Sequence, residues 1–147
     1  MIFSNKYILI NKKDLLKISK SLKKSARITI HKKKSPQQEM LIAQKKNYFY
    51  PVKKNIQSDQ TFTLIYGKLL LIIFNNRGNI FKKILLARNK NIICRVKKNV
   101  YHCDIALSKV AIHLETKSGI FTKKTNKFAK FKNSTEIIKR QLKNIKY

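Results

Sequence analysis

The sequence predicts an α+β fold: a two-layer sandwich in which a three-stranded antiparallel meander and one parallel strand carry two packed helices, all preceded by a basic N-terminal arm. Three observations lead there. Apolar segments broken by tight-turn residues run from Thr61 to Ala87. The hydrophobic period changes to a helical one at Asp104, and a second helical stripe follows Asn133. With 147 residues the chain has the size of one ordinary domain.

Residues 1–58 read as a basic N-terminal extension. Leu15, Leu16, Ile18 and Leu22 fit one short amphipathic helix opening near Asp14, and Arg27 to Ile30 fit a strand. A cationic run then ends at Pro36, and Pro51 punctuates the chain again. Residues 59–147 read as the folded α/β domain. "TFTLIY" alternates, Gly67-Lys68 offers a tight turn, "LLLIIF" is a continuous apolar strand, "NNRG" is a second turn and "NIFKKILLA" a third strand. Residues 88–103 have neither Gly nor Pro and are rich in cations, which favours a long basic loop. Asp104 then suits the cap of a helix that places Leu107, Val110, Ala111 and Leu114 on one face and closes at Ser118-Gly119. Residues 120–131 form the expected fourth strand, with Ile120, Phe121 and Phe128 inward. "NSTEIIKRQLKNI" sets Asn133 three before Glu136, as in a capping box, and aligns Ile138, Leu142 and Ile145 along a final helix.

Charge bounds the partner. Lys and Arg number 35 against 6 Asp and Glu, a formal net charge of +29. Such a chain repels itself, whereas a phosphate backbone supplies counter-charge and releases counterions on binding. A hydrophobic content of 43% argues for a real core rather than a disordered basic tail. Cys94 and Cys103 make no disulfide framework, which suits a reducing compartment. The start of the chain shows no import signal. The apolar run Leu69 to Phe74 is too short for a bilayer span of about 20 residues. Abundant Lys, Asn, Ile, Phe and Tyr is what A+T-biased codons produce, and points to an organellar genome.

Chemistry by carboxylates or metal is not expected. The acidic residues are Asp14, Glu39, Asp59, Asp104, Glu115 and Glu136. Two of them are assigned to helix starts and Glu115 to a last turn, so no catalytic pair is expected. Cys94, His102, Cys103 and His113 are zinc-ligand types, but they lack the short paired spacing of a knuckle. Cys103 and His102 would point oppositely in an extended segment, giving a buried thiol beside a surface imidazole. No cofactor is implied. The cations are the candidate site: Lys68, Arg77, Lys82, Lys83, Arg88, Lys90, Arg95, Lys97, Lys98, Lys130, Lys132, Lys139 and Arg140 as RNA-phosphate contacts. Asn133 and Ser134 join them, at a helix start whose amides point at phosphate.

The succession "TFTLIYGKLLLIIFNNRGN", then "DIALSKVAIHLETKSGI", then "FAKFKNSTEIIKRQL" resembles small-subunit ribosomal protein eleven in element order over about residues 61–145. The resemblance implies a non-enzymatic structural constituent of a mitochondrial, organelle-encoded small ribosomal subunit. Its partners would be ribosomal RNA and neighbouring ribosomal proteins, with no membrane and no small-molecule substrate. Large-subunit ribosomal protein eighteen resembles the same plan and ends just after its last helix, as this chain does. A basic RNA-processing enzyme using Asp104 or Glu136 is a further alternative, as is a membrane-surface protein held by its N-terminal helix.

Overall fold

The computed structural model describes residues 1–4, 6, 8–21, 25–122, 124–131 and 134–143. Strands β1 (Ile2–Phe3) and β2 (Ile8–Leu9) form a short antiparallel ribbon. It leads into helix α1 (Lys12–Ser21), whose Asn11 cap accepts the backbone N–H of Asp14 at 2.9 Å. Ten strands then follow in order: β3 (Ser25–Thr29), β4 (Gln37–Lys45), β5 (Lys53–Asn55), β6 (Gln60–Tyr66), β7 (Lys68–Phe74), β8 (Ile80–Ala87), β9 (Ile93–Val96), β10 (Tyr101–Ala106), β11 (Val110–Ser118) and β12 (Asn126–Phe128). Helix α2 (Ser134–Lys143) closes the described chain.

These strands build two five-stranded sheets. The front sheet has the order β12-β5-β10-β7-β8 and the back sheet β3-β4-β11-β6-β9. Every strand ladder among the described residues is antiparallel. The sheets pack face to face, because Leu69, Leu71, Leu86 and Ala106 of the front sheet share one buried cluster with Phe62, Val96 and Ala111 of the back sheet. Two further apolar layers lie outside. Leu15 of α1 packs on Leu41, Ala43, Val110 and Ile112 behind the back sheet. Ile138 of α2 packs on Leu70, Ile72, Cys103 and Ile105 before the front sheet. The strands therefore carry apolar residues on both faces, which is why β7 reads as an unbroken hydrophobic run.

The predicted α+β class is overturned by this all-antiparallel β-sandwich. The helix expected from Asp104 to Ser118 is instead the end of β10, a turn at Ser108, and β11. Leu107, Val110, Ala111 and Leu114 satisfy a helical stripe, but Val110, Ile112 and Leu114 also satisfy period two, and β-branched residues favour the strand. Ser108 fixes the turn: its hydroxyl donates to the Val110 carbonyl at 2.6 Å and accepts the Lys68 N–H at 2.8 Å.

The expected meander is half right. β7 and β8 form the predicted hairpin, closed by an Asn75 side chain that accepts the N–H groups of Arg77 and Asn79 at 3.0 Å. Gly67, however, carries the chain from one sheet to the other, so β6 and β7 do not pair. No strand is parallel to its sheet neighbour among the described residues. The expected loop 88–103 contains β9 and the start of β10, and of the expected strand 120–131 only β12 forms. Ile120, Phe121 and Phe128 are exposed, not inward. The N-terminal arm is no arm: β3, β4 and β5 are woven into both sheets. The helix near Asp14, the strand near Arg27 and the final helix stand where they were expected. Leu22, Asn133 and Ile145 lie outside the described residues.

Candidate metal centre

Strand parity decides what faces the sandwich interior. On β10, Ala106 belongs to the interior cluster, so Asp104 and His102 share its face. On β11, Ala111 does the same for His113, Glu115 and Lys117. Register then places Glu115 between Met40 and Phe62, and His113 between Ile42 and Leu64. The Phe62 ring lies against both imidazoles, with centroids 5.7 Å from His102 and 6.0 Å from His113. One part of the interior is thus apolar, around β7 and β8, and the other polar, around β10 and β11.

In the polar part three side chains converge. His113 Nε2 lies 3.4 Å from Glu115 Oε1 and 3.9 Å from Asp104 Oδ2. Their ligand-type atoms all fall within 4.8 Å of one another, and each residue is at most 1% exposed. Gln60 Nε2 donates to Glu115 Oε2 at 2.7 Å, and Gln44 Nε2 donates to the Asp104 carbonyl at 3.1 Å. Both carboxylate oxygens of Asp104, and Nδ1 of His113, have no hydrogen-bond partner among the described residues. Buried polar atoms are rarely left so.

The electrostatics are uneven. Burial opposes ionisation of Glu115, yet the hydrogen bond with His113 and the charges of Lys53 and Arg27 outweigh it and hold the group down at about 2. Burial, and then the negative charge of Glu115, push Asp104 above its usual range. Burial lowers His102 to about 4, despite a bond from its Nδ1 region to the Val100 carbonyl at 2.9 Å. Burial and the neighbouring Lys53 lower Lys117 to about 8.

Two carboxylates and one imidazole form a mixed N/O donor set of the kind that zinc, manganese and iron accept. The orphaned oxygens of Asp104 are what such an ion would satisfy, and its charge would relieve two carboxylates buried side by side. The residues therefore fit a divalent ion. Gln60 stands behind Glu115 as an outer partner that fixes its carboxylate, and Gln44 braces the Asp104 backbone.

The expectation that no carboxylate pair forms is corrected by this cluster, which removes the ground on which the chain was expected to be no enzyme. Asp104 was assigned to a helix cap and Glu115 to a last turn, and both assignments fall with the helix. His102 is buried rather than at the surface, although it does point away from Cys103, and both cysteines are free. A signal was present: in "VAIHLETKS" Ala111, His113, Glu115 and Lys117 alternate with Val110, Ile112 and Leu114, and a period-two reading puts the former on one face.

The predicted cations do not converge. Lys68 opens β7, while Arg88 and Lys90 follow β8 at the same end of the front sheet. Arg77 sits in the hairpin at the other end, about 20 Å away along a seven-residue strand. Lys82 and Lys83 are exposed on β8; Lys130 follows β12; Lys139 and Arg140 are exposed on α2, and Ser134 is its first residue. Arg95 lies on the outer face of β9, donating to Thr61 Oγ1 at 3.1 Å, and Lys97 pairs with Asp59 at 3.1 Å. Arg95 and Lys98 are the two of the set that share a cavity, of about 630 Å³, with Asp59. Lys132 and Asn133 lie outside the described residues.

No family model and no curated protein matches the sequence. Solved structures do match. Protein SO0799 from Shewanella oneidensis aligns with a TM-score of 0.67 at 9% identity, over 92% of this chain and 95% of that one. The capsular polysaccharide assembling protein CapF from Staphylococcus aureus aligns with a TM-score of 0.63 at 12% identity, over 72% of this chain but only 30% of its own. A structure described as DMSP lyases aligns with a TM-score of 0.56 at 9% identity, over 72% of this chain and 53% of that one. At such identities the likeness is one of fold: these are cupin-like jelly-roll proteins, and the β-sandwich fits that fold.

The ribosomal resemblance is therefore withdrawn. It rested on a strand-strand-strand-helix order that the chain does not have. With it go the ribosomal and RNA-binding role, in either subunit, and the partner set of ribosomal RNA and ribosomal proteins without a small-molecule substrate. The alternative of an RNA-processing enzyme fares no better, since Asp104 is interior and Glu136 is exposed on α2.

Proposed function

We propose that this chain is a cupin-fold metalloenzyme acting on a small molecule, with Asp104, His113 and Glu115 holding one divalent transition ion. The observation that carries the reading is the cluster itself: three donor side chains whose ligand-type atoms lie within 4.8 Å of one another in the sandwich interior, with neither Asp104 carboxylate oxygen hydrogen-bonded among the described residues. A bound ion supplies Lewis acidity, polarising an oxygen of the substrate or lowering the pKa of a water. The chain's own part is positional. Gln60 fixes the Glu115 carboxylate through Oε2, Gln44 braces the Asp104 backbone, and the Phe62 ring fills the space beside both imidazoles. An ion binds only deprotonated donors, so loading weakens as pH falls.

A metal-free arrangement is favoured by one observation, the closeness of Lys53 and Arg27 to Glu115, which can neutralise the carboxylates without an ion. Metal analysis separates the two. Purified protein equilibrated with Mn²⁺, Zn²⁺ or Fe²⁺ and then desalted should retain about one ion per chain, and the Asp104→Asn/Glu115→Gln double variant essentially none. Wild-type protein that keeps no ion, and whose unfolding temperature none of the three metals moves, would sink the proposal.

A further inference from the structure

At the end of the sandwich where β3 forms the edge of the back sheet, a cavity of about 590 Å³ is walled by Arg27, His31, Lys33, Lys34, Met40 and Phe121. Its volume is that of a small-molecule site. Its floor, Met40, pairs in register with Glu115, and Gln38 beside it pairs with Lys117, so the cavity lies one strand from the metal cluster. The charged side chains that line the cavity are all cationic, and Glu115 in the neighbouring cluster is the carboxylate that feels Arg27. No carboxylate forms an ion pair with Arg27, His31, Lys33 or Lys34 among the described residues.

Two of these groups are held in advance. The Arg27 guanidinium lies 5.4 Å from the centroid of the Tyr50 ring, and the Tyr50 hydroxyl is tied to Ser25 Oγ at 2.9 Å. His31 Nδ1 lies 2.9 Å from both the backbone nitrogen and the carbonyl oxygen of Glu39, which holds the ring in place and leaves Nε2 as the nitrogen available to a ligand. Beside the cations, Met40, Ile120 and Phe121 give an apolar wall, and Ile120 and Phe121 are exposed large hydrophobics, the latter with the Lys117 ammonium 5.8 Å from its ring centroid.

We infer that this cavity binds a small organic acid: a carboxylate or phosphate head on Arg27 and His31, with the lysines at the rim, and an apolar body against Met40, Ile120 and Phe121. A planar fork such as Arg27 suits a two-oxygen anion. The inference deepens the proposed function and rests on it only for the step after binding; recognition of the acid depends on the cavity's own residues.

Calorimetric titration tests it, with phenylacetate as the probe, phenylacetamide as its neutral counterpart, acetate as the head without the body, and phenyl phosphate as the alternative head. Phenylacetate or phenyl phosphate should bind saturably at a 1:1 ratio, at least about tenfold tighter than the amide or acetate. Arg27→Gln should weaken binding by about tenfold, while the remote pair Lys82→Gln/Lys83→Gln should leave it unchanged. His113→Ala should bind the probe as the wild type does, even if it holds no metal. Equal weakening by the Arg27 and Lys82/Lys83 changes would show diffuse charge only and overturn the inference. So would equal affinity for the amide, or no saturable binding. Loss on His113→Ala with retention on Arg27→Gln would move the ligand to the metal cluster, overturning the inference but not the metal reading.

Discussion

Asp104 is the residue on which most depends. Burial and the neighbouring Glu115 both disfavour its charge, so without an ion it is a liability. Asp104→Asn should therefore leave the metal-free protein as stable as the wild type or more so. It should also abolish the gain that Mn²⁺ gives the wild type, about 2.7 kcal/mol at a hundredfold excess over Kd. Chemical denaturation with and without metal checks both halves. His102 gives a pH signature. Its folded pKa is depressed from 6.5 to about 4, so the unfolded chain binds the extra proton first. Its contribution is complete above about pH 6.5 and is lost as pH falls towards 4, up to about 3 kcal/mol. His102→Gln should flatten that part of the stability profile. Gly67 is a backbone constraint: at φ +83°, a Cβ would sit 2.2 Å from the Val110 carbonyl oxygen and 2.4 Å from Ser108 Oγ. Gly67→Ala should cost about 2 kcal/mol or more, measured by urea unfolding.

At the scale of elements, helix α2 is the cover of the front sheet, and Ile138 is its buried anchor at 1% exposure. Ile138→Ala should cost about 2–4 kcal/mol and leave metal retention unchanged, since the helix and the cluster lie on opposite faces of that sheet. Elements with local signals were legible in the sequence. Asp14 and an apolar stripe pointed to α1; "NNRG" pointed to the β7–β8 hairpin; the Ile138 stripe pointed to α2. What stayed hidden is non-local. Gly67 carries the same turn signal whether the next strand pairs with the last or crosses to another sheet, and only the tertiary fold decides. The same ambiguity concealed the metal cluster. Val110 and Leu114 fit both periods, and reading them as helical separated His113 from Glu115 and made Asp104 a cap. The cations were visible, but their placement on two sheets and a helix was not.

For the molecule as a whole, the charge of +29 remains a physical fact that the fold must bear. Few carboxylates are available to pair with the cations, so the folded state carries net repulsion that salt screens. Raising NaCl from 50 to 500 mM should raise the unfolding temperature, and a fall would show that local ion pairs matter more than the overall field. The sandwich tolerates the charge because the strongly apolar layers lie inside and beneath the two helices, while most of the cations occupy outer faces and turns, Lys117 on the interior face of β11 being an exception. In the interior cluster two carboxylates, Asp104 and Glu115, lie side by side, and a cation is the species that such a pair attracts. Anomalous diffraction from crystals grown with Mn²⁺ tests this most directly. The account predicts one strong peak inside the sandwich, about 2.0–2.2 Å from Asp104, His113 and Glu115 oxygens and nitrogen. Full-occupancy peaks only at the surface, or none at all with the three side chains closed on one another, would contradict it.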